Sequence, residues 1–218
     1  MTITSTALIK DDFNLLVPIH DPSKPLDITQ LTHTKSSPYV EPDHLLDLSS
    51  LSDEYRVLAL ALQSFHPINN HNYANSTYLE AFNIDVILEL VREYSFQLNI
   101  LFPSTTVYII VFRSALYEEV RNSSEKRQFL ADIDKASHEE ANESGGLLKY
   151  WFGTPDDTDG RNLATCWWRN REDAKLGGGG KAHRKGMREV KSWFKHWQVE
   201  EYTLKIYERA SGFSFDTA

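Results

Sequence analysis

His183 is where chemistry would first be sought. It follows four glycines at 177–180 and stands at the start of a helix-forming stretch. A helix N-terminus disfavours an imidazolium and suits a neutral imidazole, which can take or give a proton at an enolisable carbon. The plain alternative is a capping or solvated ring. His138 lies on another helical stretch, with Asp134 and Asn142 one turn away on either side. An Asp–His pair at that spacing can orient an imidazole, and it is equally an ordinary surface pair. Around these histidines stand groups that suit a small-molecule pocket. Trp151, Trp168, Trp193 and Trp197 offer apolar walls, and Arg161, Arg169 and Asn142 offer a few polar groups. The arginines would stabilise negative charge developing on a carboxylate, enolate or phenolate. The competing assignment puts the tryptophans in a core and the arginines in solvent.

The remaining chemistry-bearing residues point less far. Cys166, between Thr165 and Trp167 in a strand, reads as a small buried hydrophobe. His66 and His71 share a loop without a carboxylate pattern, so no metal site is expected. The stretch KLGGGGKAHRK combines free backbone N–H groups with cations at a helix start, which suits an anion or simply a flexible linker. It lacks the G-x-x-x-x-G-K-[ST] spacing of a P-loop and the R-x-x-G-x-G turn of acetyl-CoA-binding acetyltransferases. No organic cofactor is expected, although a single axial histidine leaves no motif and so keeps haem open.

Charge is unevenly placed. Between residues 161 and 197 there are ten Lys or Arg and three Asp or Glu, a local +7 in a chain of net charge −8, and all five tryptophans fall between 151 and 197. The lone cysteine excludes an intramolecular disulfide and fits a reducing compartment. The N-terminus lacks a basic region followed by an apolar core, and no apolar run reaches the roughly 18 residues of a membrane span. A cytoplasmic protein without membrane contact is expected.

The elements that must position these residues can be read from periodicity. Residues 1–52, rich in Pro, Ser, Thr and Asp with a short apolar patch at 13–19, suggest an extended arm preceding a single α+β domain at 53–210. The run YRVLALALQSF at 55–65 is short and apolar, fitting a strand or a buried segment. Ile84, Ile87, Leu88, Val91 and Tyr94 share one helical face after Asn83. VYIIVF at 107–112 has the pattern of a central strand. Asn122 and Glu125 open a helix carrying Phe129, Leu130, Ile133, Ala136 and Ala141, which Gly145 and Gly146 end. LLKYWF at 147–152 and NLATCWW at 162–168 form a hairpin across GTPDDTDG. Met187, Val190, Phe194 and Trp197 are spaced as one helix face, and YTLKIY at 202–207 is the last strand. This order predicts a ferredoxin-like βαββαβ core over about 106–208: an antiparallel sheet with two helices on one face. An N-terminal extension would add one strand and one helix. The sheet's other face needs a cover, either the N-terminal segment or a second subunit.

The runs GRNLATCWWRNREDA at 160–174 and GGGGKAHRKGM at 177–187, with YRVLALALQSFHPI and NYANSTYLEAFN upstream, resemble a family of fungal proteins of unassigned function. That resemblance spans about residues 55–208 and implies no particular chemistry. The topology is also similar to that of the dimeric α/β-barrel superfamily, which includes small monooxygenases, haem-degrading enzymes, cyclases and stress-response proteins. It implies a homodimer and a ligand pocket between the sheet and its helices.

Three functional readings follow. The first is a cofactor-independent enzyme of cyclase, isomerase, lyase or oxygenase type. It would act on a hydrophobic, anionic or enolisable substrate, with His183, Arg169 and His138 catalytic and Trp151, Trp168, Arg161, Trp193 and Asn142 binding; a role in biosynthesis would suit it. The second is a non-catalytic ligand- or haem-binding dimer. The third is an RNA-recognition-like module. Against that one, the third core strand carries Leu163 and Thr165 where base-stacking rings belong, and the chain is acidic.

Overall fold

The computed structural model describes residues 28–218; the apolar patch at 13–19 and the rest of the arm before residue 28 lie outside the described residues. The described arm carries a small antiparallel ribbon of β1 (His33–Lys35) and β2 (Leu45–Asp47). Its Ile28, Leu31, Leu46 and Leu48 pack on Ala59 and Leu60 of α1 (Asp53–Ala61). The ambiguous run at 55–65 is thus helical, followed by a 3-10 turn at Leu62–Ser64. Asp53 and Glu54 sit in the first turn, where the helix dipole favours acids, and every residue from 57 to 62 is buried. A capping box of Thr77 and Glu80 opens the short α2 (Tyr78–Ala81). In α3 (Ile84–Gln97), Ile84, Ile87, Leu88 and Val91 form the buried face that their spacing predicts.

The ferredoxin-like core begins with β3 (Thr105–Leu116) and the turn-like α4 (Glu118–Arg121). Next comes α5 (Ser124–Ser144), whose N-cap Ser123 side chain accepts the Lys126 N–H. Gly145 and Gly146, at φ 82° and 85°, turn the chain into β4 (Leu147–Phe152), which pairs with β5 (Arg161–Trp168). Two helices follow, α6 (Arg171–Gly177) and α7 (Lys181–Val190), then β6 (Phe194–Ile206) and β7 (Phe213–Thr217). The sheet order is β4-β5-β3-β6-β7, antiparallel throughout. Without β7 this is the βαββαβ arrangement; β7 is an edge strand that the periodicity did not announce.

The helical spacing from Met187 to Trp197 stops short. Helix α7 ends at Val190, and Phe194 and Trp197 belong to β6. The cause is β3, whose twelve residues pair with β6 along their whole length. Ladder hydrogen bonds over that span outweigh an apolar stripe that ends in aromatic, strand-favouring residues.

The two faces of the sheet are covered differently. Val107, Ile109, Val111, Leu163, Trp167 and Leu204 pack against α1, α2 and α3 in the main core. Of the two covers expected for this face, the N-terminal segment supplies it. It is also the face on which an RNA-recognition domain stacks bases, and here Leu163 and Thr165 have no accessible surface. On the other face lie α5, α6 and α7, with a much smaller buried cluster of Tyr108, Ala141, Leu147, Trp168 and Ala174.

Candidate functional site

On α5, residues 134, 138 and 142 recur every four positions and so form one ridge. Each binds the arm or β4. Asn142 Nδ2 donates to the carbonyls of Asp43 and Leu45 at 3.1 and 2.8 Å. His138 Nδ1 lies 2.7 Å from His44 Nδ1, and its Nε2 lies 3.3 Å from Ser36 Oγ. The hydroxyls of Tyr39 and Tyr150 donate to the two oxygens of Asp134 at 2.5 and 2.6 Å. The Tyr150 N–H closes the circuit by donating to the Ser36 carbonyl. An arm and a helix about 95 residues apart are therefore joined by a continuous polar network.

Burial sets the electrostatics of this network. It lowers His138 to about 3, helped by the neighbouring His44, so His138 is neutral at physiological pH. The Nδ1–Nδ1 contact then requires one ring to donate and the other to accept. Burial pushes the Asp134 carboxyl up, against the two tyrosine hydroxyls and His183, which hold it down. It lowers the His183 imidazole, opposed by Glu140 and Asp134. Tyr39, Tyr150 and the Cys166 thiol are all raised, chiefly by burial.

His183 is placed by Glu140 of α5, whose carboxylate accepts the N–H groups of Ala182 (2.9 Å) and His183 (3.3 Å) at the first turn of α7. Among the described residues nothing hydrogen-bonds to its ring nitrogens. Helices α5 and α7 pack tightly on one another at Gly186, where an added Cβ would lie 2.4 Å from Ile133 Cγ2. They do not seal the sheet. Ile110, Phe112, Tyr150, Phe152, Ala164 and Cys166 all keep accessible surface below them, as do Phe129, Ile133 and Met187 above. The result is an apolar, aromatic layer between sheet and helices that packing leaves partly exposed, with Asp134, Tyr150 and His183 beside it.

The structure gathers six of the residues singled out in the sequence on this side of the sheet: His138, His183, Asn142, Trp168, Trp193 and Trp197, the last against Phe112. Trp168 is buried with no partner for its Nε1–H, and Trp193 stacks obliquely on Phe129, with centroids 5.6 Å apart. The other three lie apart. Trp151 packs edge-on against Phe65, Tyr73 and Phe82 within the opposite core. Arg161 is exposed and bonded to Asp159 and Asn75. Arg169 is held by Asp173 at 2.8 Å beside α6. Sequence reasoning missed Tyr39, His44 and Tyr150 as site residues. An acid inside an apolar helix stripe, Asp134 next to Ile133, was the available signal that something buried must answer it.

A second concavity, of about 380 Å³, opens on the other face, where Arg113, Arg161, His196, Glu200 and Tyr202 converge. Its charges are already matched, since Glu200 accepts from Arg113 Nε at 2.8 Å, from Tyr202 at 3.0 Å and from Gln198 at 3.1 Å. Among the described residues no three metal-ligating side chains converge, and no helix is long and apolar enough to cross a membrane.

Solved structures similar to this chain cover less than half of it. They include an antibiotic biosynthesis monooxygenase (TM-score 0.36, 10% identity, 43% of this chain and 94% of that one). A conserved protein from Methanosarcina mazei Go1 matches with TM-score 0.37 and 12% identity over 45% of this chain and 92% of that one. Rv0793 from Mycobacterium tuberculosis matches with TM-score 0.36 and 14% identity over 44% and 91%. In sequence, the chain is 50% identical over 213 residues to UPF0643 protein PB2B2.08 of the fission yeast Schizosaccharomyces pombe, covering 96% of each chain. With residues 35–217 matching the family model as well, the chain belongs to the PB2B2.08-like family.

Proposed function

We propose that this chain is a small-molecule enzyme that moves protons without an organic cofactor, with its site in the recess between the sheet and α5–α7. The observation that carries this reading is that Asp134 and His183 lie near enough to influence each other's charge, beside an aromatic layer between sheet and helices that stays partly exposed. Burial shifts the acid up and the base down, so the two approach a common pH range, the usual condition for acid–base work. The free imidazole of His183 takes the proton of an enolisable carbon. Tyr150 and Tyr39, already aimed at Asp134, hold that carboxyl in place. His138 and Asn142 act as positioning residues, by fixing the arm that carries Tyr39. Ile110, Phe112, Phe152 and Trp168 suit a hydrophobic or aromatic body, and the basic α7 suits an anionic group. A reducing, cytoplasmic setting suits the free thiol of Cys166.

The test is hydrogen exchange at carbon. In D₂O, an enolisable aromatic acid such as phenylpyruvate should lose its benzylic C3–H signal faster with the protein than without it. His183→Ala and Asp134→Asn should remove the acceleration while leaving the fold's circular dichroism intact. Binding without exchange would favour a non-catalytic carrier. Full exchange in both variants would overturn the site.

A further inference from the structure

A nucleophile lies on the sealed side of the sheet, away from Asp134 and His183. Lys149 of β4 stands opposite Trp167 in the ladder with β5, so its side chain leaves the sheet on the face that α1–α3 cover. The irregular pairing just before it puts Leu148 on that face too, and the two residues are buried in succession. Lys149 keeps only 8% of its surface. A lysine is almost never buried so deeply without a counter-charge. Here none is supplied: among the described residues no carboxylate, carbonyl or hydroxyl bonds to its amine. The charge that does act on it has the same sign. The Tyr150 N–H donates to the Ser36 carbonyl at 2.5 Å, which sets the arm at the outer edge of β4 and brings Lys35 close to Lys149.

Burial and the second cation together set the chemistry of this amine. Burial penalises the ammonium and Lys35 repels it, so Lys149 is lowered to about 8, and about a tenth is neutral amine already at pH 7. A desolvated lysine beside another cation is the setting of a nucleophilic amine. Size then selects the electrophile. With nine-tenths of the residue covered there is little room for a ketone or an acyl donor, yet Nζ is not among the fully enclosed unpartnered atoms, so a triatomic molecule can reach it. Charge selects the product. An imine or an amide would give the Lys35 ammonium nothing to bind, whereas a carbamate is an anion that its three N–H donors can hold.

We propose that Lys149 is a carbamylation site, whose neutral amine adds to carbon dioxide and whose product is held by Lys35 of the arm. The nitrogen lone pair forms a C–N bond, one C=O electron pair moves onto oxygen, and an N–H proton passes to solvent. Amine and carbon dioxide thus become a carbamate anion and a proton, with no oxidant and no leaving group. Two like charges at the seam of the arm and β4 become an ion pair, so carbon dioxide fastens the arm to the sheet.

The test places the full chain in ¹³C-bicarbonate at about pH 8, with chloride at equal ionic strength as the control. A carbamate carbon should appear in the ¹³C spectrum, and O-ethylation with triethyloxonium should fix the label to Lys149 in peptide mass spectra. Lys149→Met, of similar length and suited to an apolar site, should abolish it. Lys35→Gln removes the cation that holds the product and should lower the occupancy about tenfold. Bicarbonate at about ten times half-saturation should raise the wild-type melting temperature by about 3 °C and leave that of Lys149→Met unmoved. Should Lys149→Met fail to fold, the mapped label in the wild type decides. No carbamate, or one confined to surface lysines or the terminal amine, overturns the proposal. So does full occupancy in Lys35→Gln.

Discussion

On β5, Leu163, Thr165 and Trp167 have no accessible surface, whereas Ala164 and Cys166 between them are half-buried. On β3, Val107, Ile109 and Val111 are sealed, and Ile110 and Phe112 are not. Side chains alternate along a strand, so these are the two faces of one sheet. The sealed face meets α1–α3, which bring a dense set of aliphatic and aromatic side chains. The other meets α5 and α7, which touch each other closely; α5 is moored to the arm by polar bonds, and its apolar packing on the sheet is a much smaller cluster. A face sealed by packing can supply stability, and a face held off by a polar mooring leaves room for a ligand. The mooring is costly to bury and is offset because Asp134, His138 and the Asn142 Nδ2 each find partners, although the Asn142 Oδ1 does not.

The largest effect that would test this division is in the sealed core. Trp167 is fully buried and donates its Nε1–H to Tyr78 Oη at 2.8 Å. Trp167→Ala should cost about 3–5 kcal/mol in urea unfolding. Phe112→Ala, an aromatic deletion on the other face, should cost less, about 1–2 kcal/mol, because part of that ring stays in water after folding. Equal losses would mean that the recess does not exist.

Next in size is a dependence on pH. His138 is held at about 3 in the folded chain, against 6.5 for a free imidazole. Above pH 6.5 it is neutral in both states and costs nothing. As pH falls below 6.5 the unfolded chain takes up a proton that the folded chain refuses, so stability drops until about pH 3. Between pH 6.5 and 5 the loss from this group should be about 2 kcal/mol. His183, also lowered, adds in the same direction. Urea midpoints of the wild type and His138→Gln, measured across this range, should diverge, with the variant showing the flatter acid limb. Parallel acid limbs would show that the mooring does not bury this ring as described.

Much of this was legible because it is local. The strand at 107–112, the hairpin strands, the two glycines after α5 and the helix at 84–94 each announce themselves within a dozen residues. The start of β6 did not, because its partner β3 lies some 80 residues away and overrides a helical spacing that is real only as far as Val190. The site divides the same way. His138 and His183 could be singled out by their helix positions, and Asp134 by its turn offset from His138. Tyr39, His44 and Ser36 could not, since nothing near them in sequence needs a buried polar partner; the need arises on α5, 94 to 102 residues later. Trp151 and Trp168 look alike in sequence but face opposite ways, and the irregular pairing between Leu147 and Lys149 obscures that difference.

The finest test compares two adjacent residues. Thr165 points into the sealed core, where its Oγ1 donates to the Ile110 carbonyl at 3.0 Å and meets Tyr78 Oη at 3.0 Å. Thr165→Val keeps the shape and leaves both partners short of a bond, which should cost about 1–2 kcal/mol. Cys166 points the other way, half-buried and without a hydrogen bond, and its thiol is pushed up by burial. Cys166→Ala should change stability by less than about 0.5 kcal/mol. The thiol should report on binding instead. The thiol sits on the recess floor beside Tyr150, to which Cys166 is paired across the β4–β5 ladder. A ligand that fills the recess should slow alkylation of Cys166 in the wild type and leave the stability of Cys166→Ala as dependent on ligand as before. A cost at Cys166 matching that at Thr165 would mean that both faces are sealed alike, and the site would then have to be sought in the groove of Arg113 and Glu200.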